Sequence, residues 1–420
     1  MCQHVDPQAS DAPLRGPDFS PVGVSPLING PSPQRLLVIS HVVHYCHQGR
    51  LYAYGPYARE IDIWADLFRE VLIAAPTRHA PAPGDALAFT RPNITVRPLK
   101  ETGGKTLRAK IHQLVALPRL VLQLIRAMLV VDAVHVRCPG NVGLLGALLA
   151  PLFHRHLVAK YAGQWNGYAG ERWSVRLQRR VLRSLWWGSP VTVYGRWPHQ
   201  PSHVVPFFTS MMTRGQVGRA VKAAAEKVIR SPLRVLFSGR LVAEKRVWAL
   251  LEAVKLLTDA GIAVEVTILG DGLERARLED LASCLGISAH VRFVGALAFD
   301  RVLAWYEWAH CLVLPSRSSE GWPKAISEAM CHGVTCIAVE HGHIGDMLNG
   351  RGILLRTGSP DEIAGAIEAV ARNPERFSGM IVEASLWSRQ HSLEGLREAL
   401  AKLLSDRWKV RVPVIERVRI

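Results

Sequence analysis

What this chain lacks narrows its class before any motif is read. None of its seven cysteines, Cys2, Cys46, Cys138, Cys284, Cys311, Cys331 and Cys336, stands in C-x-x-C spacing. A zinc ribbon finds no support, and a reducing compartment is expected. Asp-x-Asp does not occur, so the simplest carboxylate pair for a divalent cation is missing and no metal is expected. No apolar run precedes Arg35, which leaves no recognisable targeting segment and makes the cytoplasm the expected location. The most apolar stretch, residues 114–136, is broken by Pro118, Arg119, Arg126 and Asp132. Charges at mid-bilayer are costly, so it reads as a helix followed by a strand rather than a membrane span.

Carboxylates are scarce in one half only. Residues 1–210 carry 23 Lys and Arg against 11 Asp and Glu, whereas residues 211–420 carry 28 against 24. The basic excess points to an acidic partner on one side of the molecule, an anionic membrane or a nucleic acid. No RRM, KH, zinc-finger or helix-turn-helix signature accompanies it, so a nucleic acid is not expected. With 49% hydrophobic and 20% charged residues over 420 positions, the chain can bury a large core. Disorder as the overall state is excluded, and two or three domains are expected.

Residues 1–34 hold seven of the 26 prolines and no periodic apolar pattern, and read as a disordered leader. Short apolar runs then follow at 35–40, 71–75, 131–136, 157–161, 191–193 and 203–206, interleaved with helical stretches such as 57–68. That alternation predicts a first α/β domain over 35–207 with a mostly parallel sheet. Residues 208–232 contain no strand-like run and read as a linker with one helix. From 233 the pattern is a regular β-α-β-α-β-α-β, predicting a second doubly wound domain over 233–385. A helical tail over 386–420, crossing back to the first domain, completes the expectation.

In an open parallel sheet, ligands bind beyond the carboxyl ends of the strands. The uncommon residues of the second half fall there: Gly239, Arg240 and Lys245 after the strand at 235–237, Gly270 and Gly272 after 264–269, and Ser316, Ser319, Glu320, Gly321 and Trp322 after 311–315. Two fixed cations and a helix N-terminus suit a diphosphate. Glu320 precedes the helix that Pro323 opens, Glu328 lies inside it, and a carboxylate accepts from paired sugar hydroxyls without a metal. Taken singly these residues have ordinary explanations, a helix dipole, a solvated charge run or a tight turn. Gly270-Asp271-Gly272 is not the dinucleotide fingerprint, since the third glycine is absent.

Taken together, VLFSGRLVAEKR from Val235, VTILGDG from Val266, VRFVGAL from Val291 and LPSRSSEGWPKAISEAMCHGVTCIAV from Leu314 resemble the retaining glycosyltransferases of family 4. The resemblance covers residues 233–375 and implies the GT-B fold, two Rossmann-like doubly wound domains facing a cleft. It implies that Arg240 and Lys245 hold the diphosphate of a UDP or GDP sugar and that Glu328 holds the ribose hydroxyls. Glu320 would meet the transferred sugar, and amides around Gly321 and Trp322 would contact sugar and phosphate. The catalytic set would be Glu320, Arg240 and Lys245, with Gly239, Gly270 and Gly272 completing the donor site and no cofactor or metal required.

The first half departs from that pattern. Where relatives carry a histidine after the strand LVAKY, this chain reads Ala162-Gly163-Gln164, and the loop from His41 keeps Gly49 and Gly55 but no Gly-Gly pair. Gly49, Gly55, His135 and Gly163 are the acceptor-side candidates. Residues 171–187 predict a basic amphipathic helix that places Arg176, Arg179 and Arg180 on anionic lipid headgroups and Trp186 and Trp187 at the interface. The alternative for that helix is ordinary packing on the sheet. The expectation is a cytoplasmic-face transferase acting on a glycan or lipid-linked acceptor in bacterial surface polysaccharide synthesis. A nucleotide-binding scaffold without transfer activity is the alternative.

Overall fold

A computed structural model of the chain describes residues 33–101, 107–168, 170–317 and 321–412. Nearly all of the expected leader, the last eight residues of the expected tail, and Ser319 and Glu320 lie outside them.

The first sheet contains ten strands among the described residues. These are β1 (Arg35–Ile39), β2 (His44–His47), β3 (Arg50–Tyr54), β4 (Glu70–Arg78), β5 (Ala86–Ala88), β6 (Ile94–Leu99), β7 (Ala133–Cys138), β8 (Leu157–Tyr161), β9 (Val191–Tyr194) and β10 (Val204–Phe207). Its order is β10-β9-β8-β7-β1-β4, with β6 on β4, all parallel. Leu36 to Ile39 are all buried, as a strand covered on both faces requires. Helix α1 (Gly55–Ala65) lies on one face. Helices α2 (Leu107–Met128), α3 (Asn141–Leu149) and α4 (Trp173–Arg183) cover the other.

Beyond β4 the sequence suggests only a loop, but the chain folds an antiparallel extension, β2-β3-β5. Its turn is Gln48-Gly49, both at positive φ (49° and 72°), the geometry of a tight hairpin turn that glycine adopts without strain.

After α5 (Arg214–Ala225) the second sheet runs β13-β12-β11-β14-β15-β16, again parallel. Its strands are β11 (Leu233–Ser238), β12 (Val264–Leu269), β13 (Val291–Gly295), β14 (Cys311–Leu314), β15 (Thr335–Val339) and β16 (Ile353–Leu355). The helices between them are α6 (Val247–Asp259), α7 (Arg275–Cys284), α8 (Phe299–Trp308), α9 (Lys324–Cys331) and α10 (Ile344–Leu348). Strand β11, flanked by β12 and β14, is the point where strand order reverses and a crevice opens.

Three helices follow among the described residues: α11 (Pro360–Arg372), α12 (Pro374–Ser388) and α13 (Leu393–Trp408). Ser359 caps α11, accepting from Glu362 N, with Pro360 in its first turn. Helix α13 returns to the first sheet: the Trp408 indole N–H donates to Leu157 O at 3.0 Å, and its ring meets Phe68 edge-on.

Candidate functional site

At the carboxyl edge of the second sheet, the loops after β11 and β12 are bonded to each other. Gly239 N donates to Leu269 O, Leu241 N to Asp271 O and Glu274 N to Leu241 O, at 3.0, 2.9 and 3.1 Å. A Cβ at Gly270 would overlap Gly239 O, and one at Gly272 would overlap Leu241 O. Both glycines therefore let two backbones touch, and Arg240 emerges exposed from the joined loops. Lys245 follows, half-buried in a single 3-10 turn, Ala243–Lys245.

Two further cations converge here that the sequence reading passed over. Arg246, left-handed at φ 52°, donates to Pro315 O and Thr357 O at 3.2 and 3.0 Å, and Arg317 donates to Thr357 O at 2.6 Å. Their signal was adjacency alone, one residue after Lys245 and one after Ser316. The Thr357 loop is in turn held by Glu362, which accepts from the amides of Arg356, Thr357 and Gly358. Burial opposes ionisation of Glu362, but these bonds prevail and bring its pKa down to about 2.

Glu328 is buried on α9 and accepts from the Tyr306 hydroxyl at 2.9 Å. Burial raises its pKa, and the Tyr306 bond and the Lys324 charge offset that in part. Gly321 and Trp322 lie at the junction of the two sheets. A Cβ at Gly321 would press on Ala162 O and the Tyr194 ring, 2.6 and 2.8 Å away. The Trp322 indole is buried among Tyr194, Phe208, His343, Trp387 and His391, at ring distances of 5.1 to 6.4 Å. Its side chain therefore ties the loop to the first domain and to α12.

The facing edge of the first sheet holds a polar cluster that no sequence motif marked. Glu60 on α1 accepts from Arg137 at the end of β7 (2.8 Å) and from Lys160 at the end of β8 (2.7 Å), and all three are buried. Arg137 lies over the Tyr57 ring and Lys160 over the Tyr194 ring, at 5.0 and 5.3 Å. Burial pushes the Glu60 pKa up, but the two cations outweigh it and hold the carboxyl well below its usual range. Burial lowers the Lys160 ammonium to about 8 although Glu60 favours its charge.

Several expected acceptor-side residues stand elsewhere. His135 is fully buried and stacked on Trp64 at 4.4 Å. It is a core residue, because β7 alternation turns it towards α1 one layer beneath Arg137. Gly49 forms the hairpin turn. Gly55 opens α1 where a Cβ would crowd Asp85 O and Leu87. Gly163 follows β8 at the sheet edge, in ordinary contact with Pro139.

The basic helix is shorter than expected, and part of it faces inward. Helix α4 ends at Arg183, Trp187 is 2% exposed in the core, and Arg179 is buried in an ion pair with Glu171. Arg179 and Trp187 are therefore unavailable to a membrane. A buried carboxylate has to be paired, and Glu171 takes the buried Arg179, while the exposed Arg176 lies 3.7 Å from the same carboxylate and donates to Glu171 O. Arg176, Arg180 and Trp186 are exposed, with Trp173 (73%) and Leu185 (96%) beside them. No described helix is long and apolar enough to cross a membrane.

Residues 222–387 match the family profile of the group 1 glycosyl transferases. Among curated proteins, the amylovoran biosynthesis glycosyltransferase AmsK of Erwinia amylovora is 29% identical over 125 residues, 29% of this chain and 31% of the relative. The D-inositol 3-phosphate glycosyltransferase of Rhodococcus jostii is 30% identical over 221 residues, 49% and 48% of the two chains. The chain thus spans less than half the length of the curated relatives it matches. Among solved structures, Anabaena HepE in complex with UDP superposes with a TM-score of 0.64 at 16% identity, over 89% of this chain and 100% of that one. Sucrose-phosphate synthase from Thermosynechococcus elongatus gives 0.65 at 18%, over 89% and 99%. The fold is GT-B, two Rossmann-like domains, as the motifs implied.

Proposed function

We propose that this protein is a retaining hexosyltransferase of family 4 that moves a sugar from UDP or GDP to a glycan or lipid-linked acceptor in surface polysaccharide synthesis. The observation that carries the reading is the convergence of Arg240, Lys245, Arg246 and Arg317 where the second sheet reverses its strand order, inside the segment that matches the group 1 profile. Relatives named for amylovoran and colanic acid biosynthesis support the pathway class, and the UDP complex of Anabaena HepE supports the donor class.

In this reading Arg240 and Lys245 take the diphosphate, the Glu328 carboxylate takes the ribose hydroxyls, and Glu320 meets the transferred sugar. Amides of Gly321 and Trp322 approach the sugar, while Pro323 has no N–H to give. Negative charge grows on the departing diphosphate, so the fixed cations stabilise the transition state more than the ground state, and no metal is needed. Attack from the face that the diphosphate leaves retains the anomeric configuration.

The acceptor side of the reading is peripheral membrane docking by a patch rather than by one helix. Between Glu101 and Glu226 the chain has two carboxylates, Asp132 and Glu171. Asp132 accepts from Gln34 N and Arg35 N, and Glu171 holds Arg179. The outer surface of α3 and α4 is thus basic and apolar, with Arg176, Arg180, Leu152, Trp173, Leu185 and Trp186 exposed. That composition suits anionic lipid.

The test is calorimetric titration with UDP, GDP and their sugars, followed by transfer assays in excess EDTA. Arg240→Ala and Lys245→Ala should each weaken binding by about 1.5 to 3 kcal/mol without unfolding the protein. Unchanged binding in both variants, or strict dependence on added magnesium or manganese, would overturn the diphosphate assignment. Binding without turnover would favour a scaffold.

A further inference from the structure

The Glu60, Arg137 and Lys160 cluster is not charge-balanced. Among the described residues Glu60 is the one carboxylate paired with either cation, and it serves both. One positive charge is therefore in excess in a place from which water is largely excluded, and burying an uncompensated cation costs several kcal/mol unless something anionic meets it. Packing alone would not select such a set, since apolar residues of similar volume are as good or better.

Its position suggests what meets it. Arg137 and Lys160 end β7 and β8, at the carboxyl edge where parallel sheets bind ligands, and that edge faces Gly321 across the cleft through Ala162 and Tyr194. The donor cations stand on the opposite sheet. Donors remain to spare: one nitrogen of Arg137 and the Lys160 ammonium bond to Glu60, and both groups carry further N–H donors. His41, on the loop after β1, lies within reach of the Arg137 charge, and burial first and that charge second lower its pKa. Donors arriving from two strands, β7 and β8, rather than from one planar fork, suit a tetrahedral anion.

We propose that this cluster is a second anion site, for a phosphoryl group carried by the acceptor. The inference rests on the transferase reading and names its substrate class: an acceptor whose phosphate sits on Arg137 and Lys160 while its hydroxyl faces the donor sugar.

Titration calorimetry with inorganic phosphate, inorganic pyrophosphate and glucuronate tests it on the full chain, using wild type, Lys160→Met, Lys160→Arg and Arg240→Ala. Lys160→Met leaves Glu60 and Arg137 as a balanced pair, so the fold should survive. A single cooperative thermal transition checks that. Phosphate or pyrophosphate should bind wild type and Lys160→Arg, and bind Lys160→Met about tenfold or more weakly. Arg240→Ala should keep that site and lose UDP affinity instead. Equal anion binding by Lys160→Met and wild type, loss of it only in Arg240→Ala, or glucuronate binding without phosphate would each overturn the proposal. UDP binding that persists in Lys160→Met shows that such a failure belongs to this site and leaves the donor reading standing.

Discussion

Glu60 holds two cations on one carboxylate, and that sharing sets what single substitutions there will do. Glu60→Gln leaves Arg137 and Lys160 buried and unpaired beside each other, so it should destabilise the protein by about 3 to 5 kcal/mol. Lys160→Met removes the excess charge and should cost far less. Urea denaturation of both variants compares them; equal losses would mean that the cluster is held by packing rather than by charge. Little of this was legible in the sequence. Glu60, Arg137 and Lys160 are separated by up to 100 positions, and only the parallel order of β1, β7 and β8 brings them together. The placement of Arg240, Lys245 and Glu328 beyond the ends of β11 and β14, by contrast, was legible, because strand ends are marked by the last apolar residue and each lies within a loop or a turn of one.

At the scale of elements, α4 separates two kinds of arginine that share one sequence spacing. Helical periodicity put a basic side on residues 171–187, but it could not say that the helix would stop at Arg183 or that Glu171 would turn inward and take Arg179 with it. Changing Arg176 and Arg180 together to Glu should abolish sedimentation with anionic liposomes at low salt; Arg180→Glu alone should leave thermal stability within about 0.5 kcal/mol of wild type, whereas Arg176→Glu also loses the 3.7 Å pair and the carbonyl bond to Glu171 and should cost more. Arg179→Glu should unfold the first domain, since it buries two carboxylates face to face. Liposome binding that survives the double change would make α4 an ordinary surface helix. The loops after β11 and β12 give a parallel case. Gly270→Ala would force a methyl into Gly239 O at a φ of 128°, so it should weaken nucleotide binding by displacing Arg240, although residue 270 itself need not touch a ligand. Calorimetry with UDP checks it, and unchanged affinity would show that the two loops are not coupled.

For the whole molecule, five buried histidines among the described residues set the acid limit of the fold. His44, His310 and His332 are depressed to about 4, and His135 and His391 to about 3, burial being the first cause in each. A folded pKa below the ordinary 6.5 means that the unfolded chain binds more protons, so stability is present above pH 6.5 and is lost as pH falls towards 4. At pH 5 each should cost about 1 to 2 kcal/mol. Denaturation midpoints at pH 7.5, 6 and 5 should fall steeply, and a flat profile would mean that these rings find partners on protonation.

The return of α13 to the first sheet has a mechanical consequence. Among the described residues the chain crosses between the two bodies twice, near Ser210 and near His391, and the crossings are laced together by Ser210 Oγ to His391 O and by Leu393 N to Met212 O, each 2.8 Å. A single tether would leave three rotational freedoms; two adjacent, bonded tethers leave chiefly one, like a door on a pair of pins. A rotation about those pins would act on the Trp322–Tyr194 contact, and with it on the loop that faces the cleft. Cutting the chain after Ser388 would therefore not give a trimmed enzyme. It would pull one pin, bare the Phe68 and Leu157 surface that Trp408 covers, and leave two half-domains that meet by chance rather than along an arc.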